Sequence, residues 1–84
     1  MEYKIVLIKV DIRTDNAPKV QKIFTDYGSY IKVRLGLHDN ADSNSTASSG
    51  LIFLELFGKD EAGIEKMVAA LNDIDGVSAK YLKI

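Results

Sequence analysis

The chain has 84 residues, with 11 Lys and Arg against 12 Asp and Glu, one His and no Cys. Such a length makes one domain, near the size at which a single core leaves only about 3 to 5 kcal/mol of net stability, so burial supplied by a partner would matter. Balanced charge without a basic run lacks the footprint of a nucleic-acid binder, and the absence of Cys excludes disulfides, thiolate catalysis and cysteine metal sites.

The first run, Tyr3 to Ile12, is rich in β-branched residues and apolar on both faces, which predicts a central strand. Lys4 and Lys9 interrupt it, and it is too short to cross a bilayer, so the expected location is cytoplasmic, with no membrane partner. Thr14, Asp15 or Asn16 can cap a helix with Pro18 in its first turn and Val20, Ile23, Phe24 and Tyr27 at helical spacing, up to a stop at Gly28. From Ser29 to His38 the residues alternate. Ile31, Val33, Leu35 and Leu37 are expected to face the core, and Tyr30, Lys32, Arg34, Gly36 and His38 the solvent.

The small, polar residues 38–49 predict a mobile loop between the second and third strands. Gly50 to Gly58 is the third strand, apolar almost throughout, with Glu55 in its midst. Asp60 is a helix cap, Ile64, Met67, Val68, Leu71 and Ile74 form one helical stripe, Gly76 ends that helix, and Val77 to Ile84 is the last strand. The order βαββαβ predicts an α+β, ferredoxin-like sandwich. It has a four-stranded antiparallel sheet with both helices on one face, and the first and third strands are expected to lie parallel in the middle.

Such a sheet leaves its other face bare. Ile5, Leu7, Leu51, Phe53 and Phe57 are expected there as an oligomer interface, with Lys9 and Glu55 pairing among them and fixing the register of a partner.

Catalytic patterns are weak. A phosphate cradle after the first strand would need glycine, and "DIRTDNAPKV" offers only Arg13 and Asn16, beside Asp11 and Asp15. An RNA-recognition strand would need an aromatic where Leu51 stands and a basic residue before Gly50, so Phe53 and Phe57 are read as interface or core residues. His38, the only histidine, cannot supply a conventional metal site alone. No catalytic residue, metal ligand or cofactor is assigned. Arg34, beside Gly36, is the candidate for holding a ligand carboxylate or phosphate.

Three stretches carry a family resemblance: "VRLGL" at Val33–Leu37, "GLIFLELFG" at Gly50–Gly58, and "IEKMVAALNDIDGVSAKYLKI" at Ile64–Ile84. In them the chain resembles the iron-only hydrogenase system regulator family, which belongs with the ACT-like and nickel-repressor C-terminal-like ferredoxin folds. The resemblance implies a cytoplasmic, homo-oligomeric ACT-like domain over residues 1–84, a dimer or tetramer, and brings no catalytic signature. Nickel-responsive relatives bind metal through several histidines and a cysteine and bind DNA through a separate domain; here His38 stands alone, and no DNA-binding domain is expected within residues 1–84. The expected function is non-enzymatic regulation: self-association through the sheet, with a small-molecule effector at a subunit interface changing recognition of a protein partner. The alternative is a structural protein–protein interaction module without a small ligand.

Overall fold

Strand β1, Lys4–Asp11, alternates cleanly, with Val6, Ile8 and Val10 buried and Ile5 and Leu7 half-buried on the other face. The computed structural model describes residues 2–11, 15–38, 49–58 and 60–84, of Leu37, His38 and Ser49 the backbone. Helix α1, Ala17–Asp26, begins at Asn16 with Pro18 in its first turn, and it buries Val20 and Phe24. A 3₁₀ turn over Gly28–Tyr30 leads into β2, Ile31–His38. Strand β3, Ser49–Leu56, is followed by α2, Glu61–Asn72, and β4, Val77–Lys83. The loop expected over residues 38–49 is therefore strand at both ends, and residues 39–48 lie outside the described residues.

The sheet order is β2-β3-β1-β4 and every pairing is antiparallel, which gives the ferredoxin-like arrangement. The parallel pairing expected of the two central strands is incorrect. The α1 crossover returns the chain parallel to β1 in β2, and β3 then runs back antiparallel between them. One core joins Val6 and Ile8 of β1, Leu54 and Leu56 of β3, and Val77 and Ala79 of β4 to Val20 and Phe24 of α1 and Ile64, Met67 and Leu71 of α2. The helices thus share one face of the sheet.

An asparagine, an aspartate and two glycines tie these layers together. Asn16 is buried, and its amide donates to the carbonyls of Asp11 and Asp75, both at 3.2 Å, joining the end of β1 to the α2–β4 turn. That turn is closed by Gly76 at φ 81°, a left-handed conformation that suits glycine. At the start of α2, Asp60 accepts from the Gly63 N–H at 3.1 Å and from the Tyr30 hydroxyl at 2.9 Å. A side chain at Gly63 would meet the Tyr30 ring carbon bearing the hydroxyl at 2.6 Å, so the absence of one lets the phenol reach Asp60.

Strand β2 departs from its expected phase. Ile31 packs against the core, but Val33 is 44% and Leu35 51% exposed. The cause is a bulge between Ile31 and Val33: Ile31 opposes Leu56 and Val33 opposes Glu55, leaving Lys32 as the extra residue. Beyond it Arg34 and Gly36 oppose Leu54 and Ile52, on the helix side, while Val33 and Leu35 join the open side.

Candidate functional site

Register assembles the open face in three rows across β2, β3, β1 and β4. They read Val33, Glu55, Ile5, Leu82; then Leu35, Phe53, Leu7, Lys80; then Leu37, Leu51, Lys9, Ser78. Directly opposed residues in such rows have Cβ atoms about 5 Å apart, so the apolar side chains form one patch rather than scattered contacts. Leu51 is 41% exposed and Leu82 similarly so, while Ile5, Leu7 and Phe53 are half-buried by their neighbours alone. The patch is larger than the sequence indicated, because the bulge delivers Val33 and Leu35 to it.

Of the expected interface residues, Ile5, Leu7, Lys9, Leu51, Phe53 and Glu55 fall on this face. Phe57 lies past the end of β3, donates its N–H to the Tyr30 carbonyl at 2.9 Å, and lines a shallow depression of about 310 Å³ with Ser29, Tyr30 and Asp60. The Lys9–Glu55 pair is not formed within the chain. Glu55 opposes Ile5, four residues from Lys9, a separation of roughly 13 Å along the strand. Glu55 is instead served by Lys32, at 3.7 Å from its carboxylate, so the bulge also supplies the counter-charge.

Arg34 and Gly36, the expected ligand residues, lie on the helix side of β2, opposite in direction to the apolar rows. The Arg34 guanidinium stacks 4.7 Å above the Phe24 ring of α1. No carboxylate pairs with it among the described residues. A side chain at Gly36 would meet nothing within 4 Å. The sheet therefore separates two sites that the sequence placed together: an apolar face, and a cationic strip at the β2 edge.

A third polar group gathers at the start of α2. Glu61 accepts from Lys4 at 2.8 Å and from Lys83 at 2.7 Å, one lysine on each carboxylate oxygen. The hydrogen bonds from Lys4 and Lys83 hold its carboxyl down at about 2, and burial, reinforced by that carboxylate, pushes Tyr81 up to about 12. The Gly63 N–H, then the Tyr30 hydroxyl, hold Asp60 below the usual carboxylate range. The two carboxylates are saturated with internal partners and dock α2 on β1 and β4, whereas the buried Tyr81 hydroxyl has no hydrogen-bond partner among the described residues. Because the folded state depresses Glu61, its contribution is fully present above the unfolded value near 4.5 and is lost as pH falls from there toward 2. Urea midpoints measured between pH 2 and 6 are expected to fall more steeply with acid in the native protein than in Glu61→Gln, the two curves converging at the acid end.

Sequence reasoning named Asn16 and Asp60 as possible helix caps but missed the bond from Asn16 to the Asp75 carbonyl and that from the Tyr30 hydroxyl to Asp60, because these partners come from distant parts of the chain. Among the described residues no three His, Cys, Asp or Glu side chains converge on a point where a metal could sit, and no helix is long and apolar enough to cross a membrane.

No family model matches the sequence, nor does any curated protein. Among solved structures, the chain is similar to the uncharacterized protein TM1266 from Thermotoga maritima at 22% identity, with a TM-score of 0.81 over 100% of this chain and 99% of that one. At that identity the likeness establishes a shared ferredoxin-like fold over the full length of both chains.

Proposed function

We propose that the protein is a non-enzymatic, ACT-like regulatory domain of the iron-only hydrogenase system regulator type, self-associating through the open face of its sheet and taking an anionic effector at Arg34 and Gly36. The single observation carrying self-association is the apolar patch of Val33, Leu35, Leu51, Phe53, Ile5 and Leu7 on the uncovered side of the sheet. Six large side chains at about 1.5 kcal/mol each, the low end because several are already half-buried, offer roughly 9 kcal/mol per subunit, against an association cost of about 4 to 15 kcal/mol. A second copy is the natural cover, because a two-fold axis brings the same patch to itself and doubles the buried area.

The effector site then lies on the far side of β2 from that contact. Effector binding at the strip and assembly through the face share only β2, so the regulatory coupling runs through that strand as a shift between two assembly or edge states. Phe53→Glu places a carboxylate at the centre of the apolar rows without touching the core. It is expected to shift the dissociation constant by at least about a hundredfold, since burying an unpaired charge costs several kcal/mol. Sedimentation equilibrium of the two proteins checks this. If the variant and the wild type associate equally, the open face is not the contact.

A further inference from the structure

We propose that the edge of β2, uncovered among the described residues, is a docking site for an acidic, extended peptide segment, which adds to the sheet as a fifth strand and places a carboxylate on Arg34. The inference rests on the Arg34–Gly36 strip proposed above as the effector site, and it names the ligand class.

The two sheet edges are not equivalent. At β4, Tyr3 and Ile84 exchange hydrogen bonds at 2.7 and 2.9 Å, which fixes the alternation and turns the N–H and C=O of Ala79 outward. Asn72 of α2 occupies that outward position: its amide nitrogen donates to the Ala79 carbonyl at 3.0 Å and its amide oxygen accepts from the Ala79 N–H at 2.7 Å. One side-chain amide thus supplies what a neighbouring strand would, and α2 closes the β4 edge there.

At β2 the same logic gives the opposite result. The bond from the Phe57 N–H to the Tyr30 carbonyl sets the alternation of β3 toward β2, so Leu35 and Leu37 bond inward and the backbone groups of Arg34, Gly36 and His38 point away from the sheet. Among the described residues no side chain takes the place that Asn72 takes on β4.

Three further features select the occupant. First, β2 carries Lys32 and Arg34 and no carboxylate. Lys32 is engaged by Glu55, whereas Arg34 has, among the described residues, only the Phe24 ring, which holds the guanidinium in place without neutralising it. Second, two copies of this strand pairing with each other would bring cationic edges together, while an acidic segment would be complementary. Third, a side chain at Gly36 would meet nothing within 4 Å among the described residues, so the helix side of the strand next to Arg34 has room for a side chain of an added segment. A segment that alternates acidic and apolar residues fits both surfaces, with carboxylates on the Arg34 side and apolar side chains extending the Val33 and Leu35 rows.

The test is fluorescence anisotropy with a labelled, terminally blocked hexapeptide of alternating Glu and Val, compared with a Lys–Val counterpart and with a Glu–Val peptide N-methylated on alternate amides in each of the two phases. Saturable binding of the Glu–Val peptide is expected. Binding should weaken at least about tenfold for the Lys–Val peptide, for one N-methylated phase but not the other, and for Arg34→Glu. An absence of saturation up to millimolar peptide, equal binding of the Lys peptide, or equal tolerance of both N-methylated phases overturns the proposal; complete competition by succinate at matched carboxylate concentration does so as well, in favour of a small anion. Phe53→Glu, one strand in from β2, should weaken self-association while keeping saturable peptide binding that is still selective for one N-methylated phase, so loss of self-association and loss of peptide docking are read separately.

Discussion

Leu54→Ala is expected to cost about 2 to 5 kcal/mol of monomer stability, and Leu35→Ala no more than about 0.5 kcal/mol, although both remove the same atoms from strands that neighbour each other. Leu54 is fully buried between the β1 strand and the helices, so truncation leaves a cavity lined by side chains that are held by both layers. Leu35 is half exposed on the open face and has little surrounding structure to collapse or to lose. Urea denaturation at protein concentrations low enough to exclude association measures the difference directly. The comparison tests the phase of β2: were Leu35 core-facing, as simple alternation suggests, the two costs would be similar. At higher concentration Leu35→Ala should instead weaken the proposed self-association.

Asn16→Ala is expected to lower stability by about 1 to 3 kcal/mol, measured in the same way, because it strands two carbonyls that share one buried amide. Asn16→Asp should be worse despite its similar shape. It replaces the donor facing Asp11 and Asp75 carbonyls with an acceptor that carries charge into a buried site. Asn16→Ser should recover less than the full loss, since a hydroxyl has one donor where the amide has two. If Asn16→Ala and Asn16→Asp were equally mild, the amide would be only an N-terminal residue of α1 and not the joint between the β1 end and the α2–β4 turn.

Much of the fold was legible because its signals are local. β1 and β3 carry apolar residues on both faces and read as central strands, Asp60 does cap α2, Pro18 does sit in the first turn of α1, and Gly76 does close the turn before β4. The phase of β2 was not legible, because a one-residue bulge reverses every side chain beyond it and leaves no mark in the pattern of Ile31, Val33 and Leu35. That reversal is also why Arg34 and Gly36 lie across the sheet from the apolar rows. The Lys9–Glu55 expectation failed on strand direction: antiparallel pairing carries Glu55 to Ile5 and Lys9 to Leu51. The role of Asn16 depends on Asp75, 59 positions away, and no local pattern encodes such a contact.

The β2 strand thus has two distinct surfaces, an apolar one continuous with Phe53 and Leu7 and a cationic one supported by Phe24. Such a separation would let the proposed assembly and the proposed recognition be linked without competing for the same residues. The ion-paired start of α2 and the Asn72 clasp at Ala79 close part of the opposite side of the sheet, while the open face and the β2 edge have no such cover among the described residues.

The most direct measurement of the central claim is native mass spectrometry of the wild-type protein across a range of micromolar concentrations. The account predicts a concentration-dependent, symmetric multiple of the chain mass that Phe53→Glu reduces to a single chain. A wild type that stays monomeric throughout would contradict it, because the rows of Val33, Leu35 and Phe53 would then be stable without a second copy.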